Sequence, residues 1–463
     1  MKNSFLLLIT IIILGCNNQP QVNKTFHTQE EKIEIEQNTP KATKPTYSTF
    51  ELAELKFKNK NYLESIKLYE EVSAENNINS INSKIKLGDI YFKGNGVDKN
   101  STKALNYYLL ADQNNNIELK YKIANTYDTL AISLSVRSFI AETDQSLDAL
   151  IKFKLSKKDE KQKEVLYKKA REYLKEPLEY KMPKAQALMA RYHLYGIAIK
   201  EDIHKGILLY EEAGNNNDEA SQIRLGYLYY DSNKVNKDLN KAIYWFEKAA
   251  NNGNVEAQFQ LGWLYSETKD SNIKDLKKSV YWYEYGCKQK DTASCNNLGR
   301  AYEFGIGVSK DIYKAVSYYE KSANNNGDFG QMNMGHVYLN GNGKTKNYTE
   351  AFYWFKKSAD QKNKWSQNEV GILLVKGLGT NKDYKLASEY FLKASDQNMT
   401  ESKAYLSIMY KHGFGVKKDL KESNKYKSLV IPEPKKASRN DYSMAKLLWN
   451  EYVLLGIVKE EEK

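Results

Sequence analysis

Any chemistry in this chain of 463 residues would have to start from three cysteines, five histidines and a few Ser-x-x-Lys spacings. Cys287 and Cys295 flank one break between helical segments, near Gly286 to Asp291. Thiols on either side of a tight turn can form a disulfide when their Cα atoms come within ~7 Å, and closing so short a loop contributes about 2–3 kcal/mol. A structural disulfide is therefore expected. A metal is not, because no histidine stands nearby and two thiolates do not complete a tetrahedral shell. Ser271-x-x-Lys274 and Ser443-x-x-Lys446 have the spacing in which lysine activates a serine for acyl transfer. Neither comes with the Ser-Asp-Asn and Lys-Thr-Gly companions which that chemistry needs, and so lysine-rich a chain produces such spacings by chance. His27, His193, His204, His336 and His412 include no i, i+4 pair. The Gly-x-Gly turns never extend to a phosphate-binding GxxxxGK[ST] and follow no strand. No catalytic site, metal or cofactor is expected.

The elements that would carry these residues repeat. Small residues recur at Ala53, Gly88, Ala124, Ala190, Gly226, Gly262, Gly299, Gly335, Gly371 and Ser407, in steps of 35, 36, 66, 36, 36, 37, 36, 36 and 36. A period near 36 is the signature of stacked helix pairs. In each first helix the small residue admits a close neighbour, with residues such as Leu261 and Tyr265 beside it. In each second helix Ala242, Phe246 and Ala249 return as Ala315, Tyr319 and Ser322, offsets that form one buried stripe. Gly-x-Gly joins the helices in several units, for example Gly305 and Gly307 or Gly341 and Gly343, where glycine suits a helix C-cap and turn. The 66-residue step predicts an insertion or a degenerate unit at about 127–182. It contains one helical segment, Lys161 to Lys175, closed by Pro177 and Pro183.

The two ends differ from the middle. Met1 to Cys16 reads as an export signal: Lys2, an apolar run from Phe5 to Leu14, then Gly15 before Cys16. The apolar run is too short to span a bilayer, which takes ~20 residues. Residues 17–46 are polar and unpatterned, a flexible tether. The solenoid is expected over 47–430. In its last unit Lys427 replaces the usual aromatic, and 431–463 is read as a C-terminal helix, Tyr442 to Val458, closing the stack. The formal charge of +12 comes almost wholly from lysine. Arginine, the residue that grips bases and phosphates bidentately, is rare, so no nucleic-acid partner is expected.

The repeat resembles the Sel-one-like (SLR) repeats, longer relatives of the tetratricopeptide repeats. Leu225-Gly226, Leu261-Gly262 and Leu298-Gly299 carry the likeness, with Gly305-Ile306-Gly307-Val308-Ser309-Lys310-Asp311 and Lys241-Ala242-Ile243-Tyr244-Trp245-Phe246. It covers roughly Tyr47 to Val430 and is strongest from Gly226 to Gly415. The unit of Ala53 looks more like a plain tetratricopeptide repeat. Ile13-Leu14-Gly15-Cys16 is similar to the bacterial lipoprotein cleavage box, which implies lipidation at Cys16, and Asn17 after it implies the outer membrane of the cell envelope.

The resemblance implies an all-α, right-handed α-solenoid of helix-turn-helix repeats that binds other proteins, with the first helices on its concave side. Three residues before and one after the small residue, that side would present Tyr227, Phe259, Trp263, Arg300, Met332, His336 and Ile372, with Trp365 one turn earlier. Either these anchor a partner or they pack against neighbouring repeats. Cys287 to Cys295 is similar to the cysteine-rich secreted branch, in which such a pair bridges consecutive repeats. Some members of that branch carry a β-lactamase or penicillin-binding label. The expectation is a monomeric, non-enzymatic envelope lipoprotein that scaffolds a protein partner. A cell-wall or β-lactam-acting protein and a secreted host-interaction factor are the alternatives.

Overall fold

The computed structural model describes residues 47–430 apart from 76, 114–115 and 143–156. The export signal with Cys16, the tether and the expected C-terminal helix lie outside the described residues. Within them the chain forms twenty helices in ten consecutive pairs. The first four pairs are α1 (Thr49–Lys58) with α2 (Tyr62–Ser73), α3 (Ile78–Lys93) with α4 (Ser101–Ala111), α5 (Ile117–Glu142) with α6 (Lys157–Glu179), and α7 (Pro183–Tyr195) with α8 (Ile203–Asn215). Then come α9 (Glu219–Tyr230) with α10 (Leu239–Asn251), α11 (Val255–Glu267) with α12 (Leu276–Lys288), and α13 (Thr292–Phe304) with α14 (Ile312–Asn324). The last three are α15 (Asp328–Asn340) with α16 (Tyr348–Asp360), α17 (Lys364–Lys376) with α18 (Tyr384–Asp396), and α19 (Thr400–His412) with α20 (Leu420–Val430).

Local chemistry fixes these boundaries. Asp or Asn stands at most N-caps and accepts from the first-turn amides, as Asp291 does from Ser294 at 2.7 Å and Asn363 from Ser366 at 3.0 Å. Six first helices end on left-handed glycines, Gly305 for example at φ 72°. The second glycine of the turn has another task. A Cβ on Gly307 would lie 2.2 Å from the carbonyl oxygen of Leu276, and one on Gly379 2.0 Å from that of Tyr348. The turn thus drops onto the start of the previous repeat's second helix.

In the six pairs with glycine at the small position, a second-helix ring lies on the first-helix backbone. A Cβ on Gly226 would sit 2.5 Å from Phe246, and one on Gly299 2.6 Å from Tyr319. That is the physical content of the small-residue register. In the last pair Lys427 is exposed and leaves no ring to accommodate, and Ser407 replaces glycine.

The 66-residue step is one pair with both helices lengthened, α5 to 26 residues and α6 to 23. Ala124 keeps its buried place. Here the sequence expectation is corrected: α6 runs past Lys175, with Pro177 inside its last turns. Leu174 and Leu178 belong to the core on either side of the proline, and that burial outweighs the one hydrogen bond the proline cannot donate.

Neighbouring first helices touch, α5 with α7, α11 with α13 and α13 with α15, more than neighbouring second helices do. The first helices therefore line the tighter, inner side of an α-solenoid. Among the described residues no helix is long and apolar enough to cross a membrane.

Candidate partner-binding face

The predicted disulfide sits in a joint between repeats. Cys287 near the end of α12 and Cys295 in α13 are bonded, with Cα atoms 4.6 Å apart, and both are buried. Other joints place a glutamine where Cys295 stands. Gln222, Gln258, Gln331 and Gln367 each donate their amide to a carbonyl eight residues earlier: Gly214 (2.8 Å), Ala250 (3.1 Å), Ala323 (3.4 Å) and Ala359 (3.3 Å). One covalent bond replaces one hydrogen bond at equivalent positions. Three of these glutamine oxygens then accept from a later glutamine: Gln258 from Gln289, Gln331 from Gln361 and Gln367 from Gln397, at 2.8–2.9 Å. At the two joints where Asn216 or Asn252 holds that later place, the oxygens of Gln186 and Gln222 have no partner.

Along the inner face the character changes at α11. In the N-terminal pairs an acidic residue of one first helix meets a cation of the next. Glu54 takes Lys86 at 2.9 Å, Asp89 takes Lys122 at 2.7 Å, and Asp128 takes Arg191. A tyrosine hydroxyl donates to each of the same carboxylates: Tyr69 to Glu54, Tyr108 to Asp89 and Tyr192 to Asp128. Burial pushes the Asp128 carboxyl up, against the opposing pull of Arg191 and Tyr192. This stretch is occupied with itself.

The predicted partner-binding residues divide. Tyr227 donates to Glu256 at 2.7 Å and accepts from Gln260 at 2.9 Å, so it continues the internal ladder. Burial and the Glu256 carboxylate push its hydroxyl up to about 12. Phe259 is half-buried against Tyr283, with ring centres 6.1 Å apart. His336 is half-buried, edge-on to Phe355 at 4.9 Å, and burial lowers its pKa despite Glu303 nearby. Met332 and Ile372 pack on the core of the C-terminal repeats.

Trp263 and Trp365 are open, at 36% and 43% exposure, and Arg300 is exposed too. Among the described residues no carboxylate pairs with the Arg300 guanidinium.

Two aromatic sites on this face were not anticipated from sequence. Phe329, at 43% exposure, lies 5.6 Å from Trp365 at the N-terminal ends of α15 and α17. Tyr230 packs edge-on to Trp263 at 5.7 Å and carries the Lys237 ammonium 5.0 Å over its ring. Together with Leu264, Glu267 and Asp270 they line a groove of about 310 Å³. A signal for that groove was in the sequence. The links after α9 and α11 lack Gly-x-Gly and start at Asp231 and Thr268, neither left-handed. Those links lack the glycine with which Gly307 lies against the previous repeat's backbone, and a groove opens beside Trp263.

The remaining candidates are not brought together. Ser271 and Lys274 lie exposed in the link between α11 and α12. Ser443, Lys446 and His27 fall outside the described residues, and among those described no three His, Cys, Asp or Glu side chains converge as metal ligands.

The Sel1 repeat model matches residues 82–114, 183–218, 219–254, 255–291, 292–327, 329–363, 366–399 and 400–426. It leaves out α1–α2 and the whole of the lengthened pair. Among solved structures, a Sel1 repeat protein from Oxalobacter formigenes is similar at 20% identity and a TM-score of 0.52, over 74% of this chain and 93% of that one. A second is c5321, a protective antigen of uropathogenic Escherichia coli with an SLR fold, at 21% identity and a TM-score of 0.35, over 85% of this chain and 94% of that one. No curated protein matches.

Proposed function

Because the chain belongs to the Sel1 repeat family, we propose that it is a non-enzymatic scaffold of the cell envelope that holds another protein on its inner face between α11 and α17. The observation that carries this reading is the change of that face from a self-paired ladder to open Trp263, Arg300 and Trp365. Tryptophan and arginine dominate the energetics of protein interfaces when a partner desolvates them, and here they stand where neighbouring first helices make a continuous surface. Protein interaction is the usual use of this fold, and the inner face supplies the surface for it.

Export and lipidation at Cys16 follow from the leading segment, Lys2 through Cys16, and place the scaffold at a membrane, the outer membrane given Asn17. A Cys16→Ala chain should move from the membrane to the soluble fraction; a native chain that is itself soluble removes the anchor from the proposal.

The scaffold is tested by cross-linking in cells, comparing the full chain with Trp263→Ala. Partners captured by the native chain should be lost from the variant while its melting curve stays unchanged. An identical catch from both would place the interaction elsewhere.

A further inference from the structure

The two inner rows from α11 to α17, one residue after and three before each small position, hold a single cation. The first row reads Trp263, Arg300, His336, Ile372, and burial lowers the pKa of the imidazole. The second reads Phe259, Asn296, Met332, Asn368 and carries no charge. Every cation of the N-terminal ladder meets a carboxylate of the neighbouring first helix; Arg300, at the equivalent place of Asp89 or Arg191, meets none among the described residues. A guanidinium kept exposed beside a tryptophan groove is complementary to a carboxylate that arrives with a partner. Beside it Asn333 donates to Asn296 at 2.7 Å. One such bond uses only part of what two amide side chains can donate and accept, and the rest suits a peptide main chain.

We propose, resting on the scaffold reading above, that the occupant is an extended, acidic segment of a partner protein. It presents a carboxylate to Arg300 and seats a bulky apolar side chain in the groove beside Trp263 and Tyr230. The spacing follows from geometry. Trp263 and Arg300 occupy the same register on α11 and α13, which are in contact. Packed helix axes lie about 8–10 Å apart, and an extended chain advances ~3.3 Å per residue. The acidic residue therefore stands about three positions from the apolar one. The Phe329–Trp365 pair takes a second apolar side chain farther along.

A random peptide library selected on the full chain, native and Arg300→Glu, tests this. The native chain should enrich peptides with Asp or Glu about three positions from Leu, Ile, Phe or Trp. Arg300→Glu should exchange the acidic position for Lys or Arg. Replacing that acid by its amide should weaken an enriched peptide about tenfold or more on the native chain and little on Arg300→Gln. No enrichment, a consensus without the acidic position, or the same peptides from both chains overturns the proposal. If cross-linked partners are nevertheless lost in Trp263→Ala, the segment's chemistry is wrong and the scaffold reading stands. If Trp263→Ala also keeps every partner, the placement of the partner on this inner face falls with the proposal.

Discussion

At the joint of α8 with α9, the Gln222 side chain donates to Gly214, but its oxygen has no partner, and Asn252 stands where other joints offer a glutamine. Asparagine is one methylene too short. Leaving a buried acceptor unpaired costs about 1–3 kcal/mol, so Asn252→Gln should raise stability by about 1 kcal/mol, read as a higher urea midpoint. An unmoved midpoint counts against the ladder. The cysteines should be exchangeable for the other lock. Cys287→Ala with Cys295→Gln is expected to melt below the native chain and above Cys287→Ser with Cys295→Ser, because only the former rebuilds the amide-to-carbonyl bond. The reverse order would show that the two joints are not equivalent. His336 gives the chain a pH dependence. Its folded pKa lies below the ordinary value of 6.5 because the ring is buried. The unfolded chain therefore binds the proton first, and stability is full above pH 6.5 and falls as pH drops from there toward the folded pKa. His336→Gln should flatten the stability difference between neutral and mildly acidic buffer; an unchanged slope would assign it to other groups.

Between helices, the governing contact is a ring lying on a backbone. A methyl at Gly299 would stand 2.6 Å from Tyr319, so Gly299→Ala should cost about 1–3 kcal/mol by overpacking, measured by denaturant unfolding. Ser407→Ala, in the pair where Lys427 holds the place of the ring, should cost clearly less. Equal losses would mean that the ring is not what excludes the side chain. This contact was legible in the sequence as a register of small residues, because helix pairs that approach closely need them at a fixed period. The lengthened pair was less legible. Pro177 reads as a helix end, yet α6 continues through it because Leu174 is buried and Leu178 half-buried against the core. Local propensity is a weak prior once tertiary burial opposes it.

Across the whole molecule, the inner face divides into a self-satisfied N-terminal part and an open C-terminal part. Asp89→Asn should lower stability, because it removes the charge that holds both Lys122 and the Tyr108 hydroxyl, while leaving the cross-linked partners in place. Trp263→Ala should do the opposite, losing partners with little change in melting. If the two variants exchange phenotypes, the assignment of the halves is wrong.

By itself the sequence determined what recurs: ten helix pairs, their period, their caps, and the turn that brings Cys287 to Cys295. Each depends on residues near one another along the chain, and a repeat writes such local rules many times over. Which inner-face residues are open was decided only by tertiary structure. Tyr227 and Arg300 occupy the same register and both read as partner anchors. Tyr227 is held by Glu256 and Gln260 from the next repeat, whereas Arg300 meets no carboxylate among the described residues. Openness depends on what the adjacent repeat brings across the joint, and no single repeat contains that information.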